Sequence, residues 1–125
     1  MDGFEKSKGK KLTFTGKYTE GDQKRKNPRI PVDIKGTFIY MDSENKITEK
    51  CIINSLSTGG ISFFSNVVLM RGDALVISFT LENKLITADC KVTRTHGKEV
   101  GSKFIHPTED SVKIIQQFIF KKIFT

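Results

Sequence analysis

The sequence predicts a mainly β protein, a six-stranded antiparallel β-barrel followed by a C-terminal α-helix. Apolar and polar residues alternate in short runs, each run is bounded by clusters of Gly, Asn, Asp or Ser, and only the segment after Pro107 changes to a helical period. Short turns suit antiparallel neighbours, whereas a parallel sheet needs long crossovers between its strands.

The first strand begins at Ile30, where Val32, Ile34, Phe38 and Tyr40 alternate with polar or small residues as far as the turn cluster Asp42-Ser43-Glu44-Asn45. A second runs from Ile47 to Asn54. A third, Ile61-Ser62-Phe63-Phe64, follows the Gly59-Gly60 turn, and Met70-Arg71-Gly72-Asp73 is a loop that leads into the fourth, Ala74 to Leu81. The fifth, Leu85 to Thr95, is joined to the fourth at Glu82-Asn83-Lys84, a tight hairpin by length and turn chemistry. His96-Gly97-Lys98 turns the chain into the sixth, Glu99 to Ile105.

After Pro107, Thr108 is placed to cap a helix, with Glu109 and Asp110 favourable in its first turn and Lys121 and Lys122 in its last. Val112, Ile115, Ile119 and Ile123 form its apolar stripe, and Ile114, Phe120 and Phe124 project away from it. That surplus fits extra core packing, a frayed end, or a partner or homodimer surface.

A chain of 125 residues holds one domain with a core of modest size. Hydrophobic residues make up 37% and charged residues 28%, and no apolar run approaches the roughly 18 residues needed to cross a bilayer. Met1-Asp2-Gly3-Phe4-Glu5-Lys6 lacks the apolar stretch of a secretory signal, so the expected location is cytoplasmic. Residues 1–23, with four glycines and little periodicity, are expected to form a flexible basic arm, and residues 24–125 the domain. Residues 1–29 carry a net charge of +5 out of the total +7. Such a field attracts an anion, whether a dinucleotide, RNA or an acidic protein surface.

Cys51 and Cys90 fall inside apolar strand patterns without metal-ligand spacing, which reads as two buried reduced thiols with no metal site and no disulfide. His96 and His106 lie far in sequence from any cysteine or paired carboxylate. No nucleophile-base order, HExxH motif, phosphate loop or dinucleotide-binding glycine motif is present, so the expectation is a binding protein and not an enzyme. Arg71-Gly72-Asp73 is explained by a turn before a strand.

Two features carry binding chemistry. Arg25 and Arg29 stand four residues apart just before the first strand, and a guanidinium matches phosphate oxygens and the O6 and N7 acceptors of guanine bidentately. Downstream, Asn54-Ser55-Leu56-Ser57-Thr58-Gly59-Gly60 is a polar turn whose side chains and free backbone N–H groups reach base edges and phosphates where glycine permits close approach.

At these residues the chain resembles the PilZ domain family of bacterial cyclic di-GMP receptors, whose signature is RxxxR followed by D/NxSxxG. The resemblance runs from Lys24 to the C-terminus and matches at Arg25, Arg29, Ser57 and Gly60, with Ser55 where the family usually has Asp or Asn. Asn54 is adjacent, and a local bulge would bring it into the site, although the spacing to Ser57 and Gly60 fits Ser55 without any insertion. The resemblance implies a PilZ-like split barrel in which Arg25 and Arg29 clamp guanine edges and phosphates while Asn54, Ser55, Ser57, Gly59 and Gly60 meet the ligand from the barrel. It further implies that Lys24 favours a stacked pair of ligands, that binding orders the arm, and that the output is an effector protein in motility, exopolysaccharide or pilus function. The alternative is a PilZ-like interaction module that does not bind nucleotide. A small RNA-binding barrel is the third reading, and no RNP-like aromatic cluster accompanies it.

Overall fold

The computed structural model describes residues 28–124. Six strands, β1 (Ile30–Asp42), β2 (Asn45–Leu56), β3 (Gly60–Phe64), β4 (Ala74–Leu81), β5 (Lys84–His96) and β6 (Glu99–Phe104), precede one helix, α1 (Glu109–Phe124). They close into a barrel in the order β1-β2-β3-β6-β5-β4, and every neighbouring pair is antiparallel. The expected six-stranded barrel with a C-terminal helix is therefore present. The expectations for residues 1–23, and for Lys24 and Arg25, lie outside the described residues.

The turns follow from backbone chemistry. β4 and β5 are joined by Glu82 and Asn83, both at positive φ, which matches the right-handed twist of the paired strands. Gly97 supplies the positive φ between β5 and β6.

Alternate side chains fill the barrel. Phe38, Ile53, Leu56, Phe63 and Ile77 have no accessible surface, and the Phe38 and Phe63 rings meet at 5.3 Å. Cys51 and Cys90 are buried free thiols in this interior. Burial raises Cys51 from 9.0 to about 11. At Cys90 burial outweighs a hydrogen bond with Ser102 and raises the thiol to about 12.

The Thr108 hydroxyl caps α1 by accepting from the Ser111 N–H at 3.1 Å. The helix lies against β4 and β5 and buries Ile115, Phe118 and Ile119. Phe118 thus belongs to the buried face beside the expected Ile115 and Ile119. Ile114 packs partly against the core, so the projection expected of it does not hold: the barrel surface under the helix is broad enough to cover a wider stripe. Phe120 and Phe124 do project, 60% and 49% exposed, with ring centroids 4.6 Å apart.

Candidate functional site

Three irregularities in the strand ladder surround the site, one of them in the β1–β2 pairing between Pro31 and Ile34, and two of them decide which side chains line it. Ile53 pairs with Phe63 and Ser55 with Ser62, so Asn54 is an extra residue in β2, a β-bulge. In regular alternation Ile53 and Leu56, three apart, would face opposite sides of the sheet. Instead both are fully buried, and Asn54 and Ser55 between them are both half-buried on the wall of one cleft. The choice between Asn54 and Ser55 posed by the sequence is thus not exclusive. The second irregularity is in β5, where Val92 pairs with Ser102 and Arg94 with Gly101, leaving Thr93 as the extra residue.

Arg29 reaches the site from the lead-in to β1. Ile30 is buried and pairs with Leu56, and Pro31 pairs with Ser55, which holds Arg29 at the mouth of the β2–β3 turn. There it lines two adjoining clefts. One, of about 240 Å³, is walled by Ser55, Ser57, Gly59, Gly60 and Lys103. The other, of about 300 Å³, is walled by Asn54, Ser55, Ser62, Arg94 and Glu99.

Within the turn, the Ser57 Oγ accepts from the Gly59 and Gly60 N–H groups, each at 3.1 Å, and donates to the Gly60 carbonyl at 3.2 Å. These two N–H groups are consequently not free, contrary to the expectation from sequence. A serine hydroxyl two residues before a glycine pair bonds its own backbone in preference to waiting for a ligand. Ser57 shapes the turn. Gly60 is required by packing: a Cβ there would stand 2.1 Å from the Ser102 carbonyl oxygen, where β3 and β6 approach.

Sequence reasoning missed Arg94 and Glu99. Arg94 lies over Gly101, and its Nη2 donates to Ser62 Oγ at 3.3 Å. Asn54 Nδ2 donates to Glu99 Oε2 at 2.9 Å, while Asn54 Oδ1 is buried without a hydrogen-bond partner. Neither residue belongs to a local motif, since Glu99 is 45 positions from Asn54 and Arg94 is 32 from Ser62. A faint signal existed in Arg94 near a glycine, Gly101, across a predicted hairpin. No group of three or more His, Cys, Asp or Glu among the described residues is arranged to hold a metal ion. No described helix is long and apolar enough to cross a membrane.

Comparison with known proteins agrees with this architecture. The PilZ domain of CeSA from a cellulose synthesizing bacterium is similar with a TM-score of 0.57 at 16% identity, covering 75% of this chain and 96% of that one. The PilZ domain of Escherichia coli YcgR with c-di-GMP gives 0.61 at 16% identity, covering 79% and 91%. Bacillus subtilis inhibitor of motility, MotI/DgrA, gives 0.65 at 13% identity, covering 80% of this chain and 51% of that one, so the present chain spans about half its length. No match is found among curated proteins. The family model for the PilZ domain matches residues 23–121, and with a closed barrel, a C-terminal helix and a polar turn in the family's order, the chain belongs to the PilZ domain family.

Proposed function

We propose that this chain is a cyclic di-GMP receptor that signals to a partner protein and is not an enzyme. One observation carries the reading: Arg29 from the lead-in to β1 and the Asn54–Gly60 segment, with its bulge and its turn, line two adjoining clefts, and Arg94 of β5 lines one of them. The ligand has two guanines and two anionic phosphates. Arginines are the side chains that pair bidentately with both phosphate and the guanine O6/N7 edge. Similarity to PilZ domains that hold c-di-GMP supports the same ligand class.

In this reading Arg25 joins Arg29 in clamping the ligand, and Lys24 adds charge that favours a stacked pair. A ligand that touches both the N-terminal arm and the barrel stabilises the arrangement in which they meet. The effector reads that arrangement. The output is motility, exopolysaccharide synthesis or pilus function.

Calorimetric titration with cyclic di-GMP tests the proposal. Saturable binding is expected, with Arg25→Ala and Arg29→Ala each costing on the order of 2 kcal/mol of affinity while the melting temperature stays nearly unchanged. A wild-type chain that fails to bind is the interaction module without a nucleotide, a reading that Ser55 and the engaged N–H groups of Gly59 and Gly60 favour.

A further inference from the structure

We infer that Glu99 is a specificity-determining residue of this site: its carboxylate, held by Asn54, accepts from the N1–H and N2–H donors of a guanine. The inference rests on the cyclic di-GMP reading and names the residue that reads the base. Among the described residues, Glu99 is the one carboxylate lining the cleft that also contains Arg29, Asn54, Ser55, Ser62 and Arg94. The other polar groups there are hydroxyls, an amide and two cations. A carboxylate offers two parallel acceptors, the counterpart of two parallel donors on the Watson–Crick edge of guanine. Adenine presents no such pair, and hypoxanthine lacks the N2 donor.

Its orientation is also set. A carboxylate that shares a cleft with two arginines is drawn toward them, yet Glu99 forms no ion pair among the described residues. Its bond is the 2.9 Å contact from Asn54 Nδ2 to Oε2. Because a carboxylate only accepts, the amide must turn its NH₂ toward Glu99, which leaves Asn54 Oδ1 buried and unpaired. Such an arrangement is costly to a fold, and unsatisfied buried groups are rare enough that each calls for a reason. Here the bulge that exposes Asn54 to the cleft wall places its amide against Glu99, while Oε1 and the remaining lone pair of Oε2 are left available.

The experiment compares cyclic di-GMP with cyclic di-IMP, its hypoxanthine analogue, on the full chain by calorimetry. Wild type is expected to favour the guanine ligand by about tenfold or more, the scale of one good base-edge pairing. Glu99→Ala should lose that preference by weakening cyclic di-GMP selectively. Glu99→Gln, which keeps an oxygen for Asn54 but replaces one acceptor with a donor, should lose it too. In the Glu99→Ala background, Ser55→Asp should return part of the preference, because it puts a carboxylate back on the same cleft wall. Equal weakening of both ligands, or an undiminished preference in both Glu99 variants, overturns the inference and leaves the receptor reading standing. A wild-type chain that binds neither ligand overturns both.

Discussion

Arg94 lies across Gly101, where a β-carbon would stand 2.8 Å from its Cγ, and from there it reaches Ser62 Oγ at 3.3 Å. A side chain at position 101 and the observed course of Arg94 therefore exclude each other. Gly101→Ala is expected to push the guanidinium off this wall and to weaken cyclic di-GMP binding about as much as Arg94→Ala, on the order of 2 kcal/mol for a charge-assisted contact. Arg94 is exposed, so its replacement should leave the melting temperature nearly unchanged. Calorimetry beside thermal denaturation checks both. Undiminished affinity in both variants removes Arg94 from the site.

The bulge at Asn54 makes a second prediction. Asn54→Ala removes the donor that holds Glu99 and should weaken binding, with little loss of stability because it also removes a buried acceptor that has no partner. Ser55→Asp in the otherwise unchanged chain should be neutral or harmful, since it adds an anion to a cleft that Glu99 already lines and that the proposed anionic ligand would occupy. Spacing alone leans the other way and favours a gain from Ser55→Asp. Measuring the two variants side by side decides the matter, and tighter binding by Ser55→Asp would restore Ser55 as the principal contact.

Gly60 carries a structural cost of its own. A Cβ there would stand 2.1 Å from the Ser102 carbonyl oxygen, so the β3 and β6 backbones would have to part, and Ser102 Oγ, donating to the Ile61 carbonyl at 3.2 Å, ties the two strands together beside it. Gly60→Ala should destabilise the fold by about 2 kcal/mol or more, the range for overpacking in a closed interior. Denaturant titration gives the measurement. A variant as stable as wild type would show that β3 and β6 separate readily.

The buried thiols predict a pH dependence. Cys51 and Cys90 have folded-state values raised from 9.0 to about 11 and about 12, chiefly by burial, so above pH 9 the unfolded chain releases protons that the folded chain keeps. Their contribution to stability is fully present below pH 9 and is lost as pH rises through about 11 to 12. Denaturation midpoints measured across this range should fall in wild type and fall less in Cys51→Ala and Cys90→Ala. At neutral pH both thiols should resist a thiol reagent until the chain unfolds.

The sequence by itself determined the strand count, the turns and the helix, because these rest on local periodicity and on backbone chemistry at a few residues such as Asn83, Gly97 and Thr108. It also pointed to Arg29 and the Asn54–Gly60 turn, since their order along the chain is a motif. Tertiary structure alone decided what those residues touch. That Asn54 and Ser55 both line the cleft depends on a bulge whose register is set by the burial of Ile53 and Leu56, a requirement of the whole barrel and not of the turn. The recruitment of Arg94 and Glu99 depends on β6 lying between β3 and β5, an adjacency made by closure of the sheet between residues dozens of positions apart. Periodicity reads which face a residue takes within its own strand, and only the pairing of strands brings side chains from different strands to one wall.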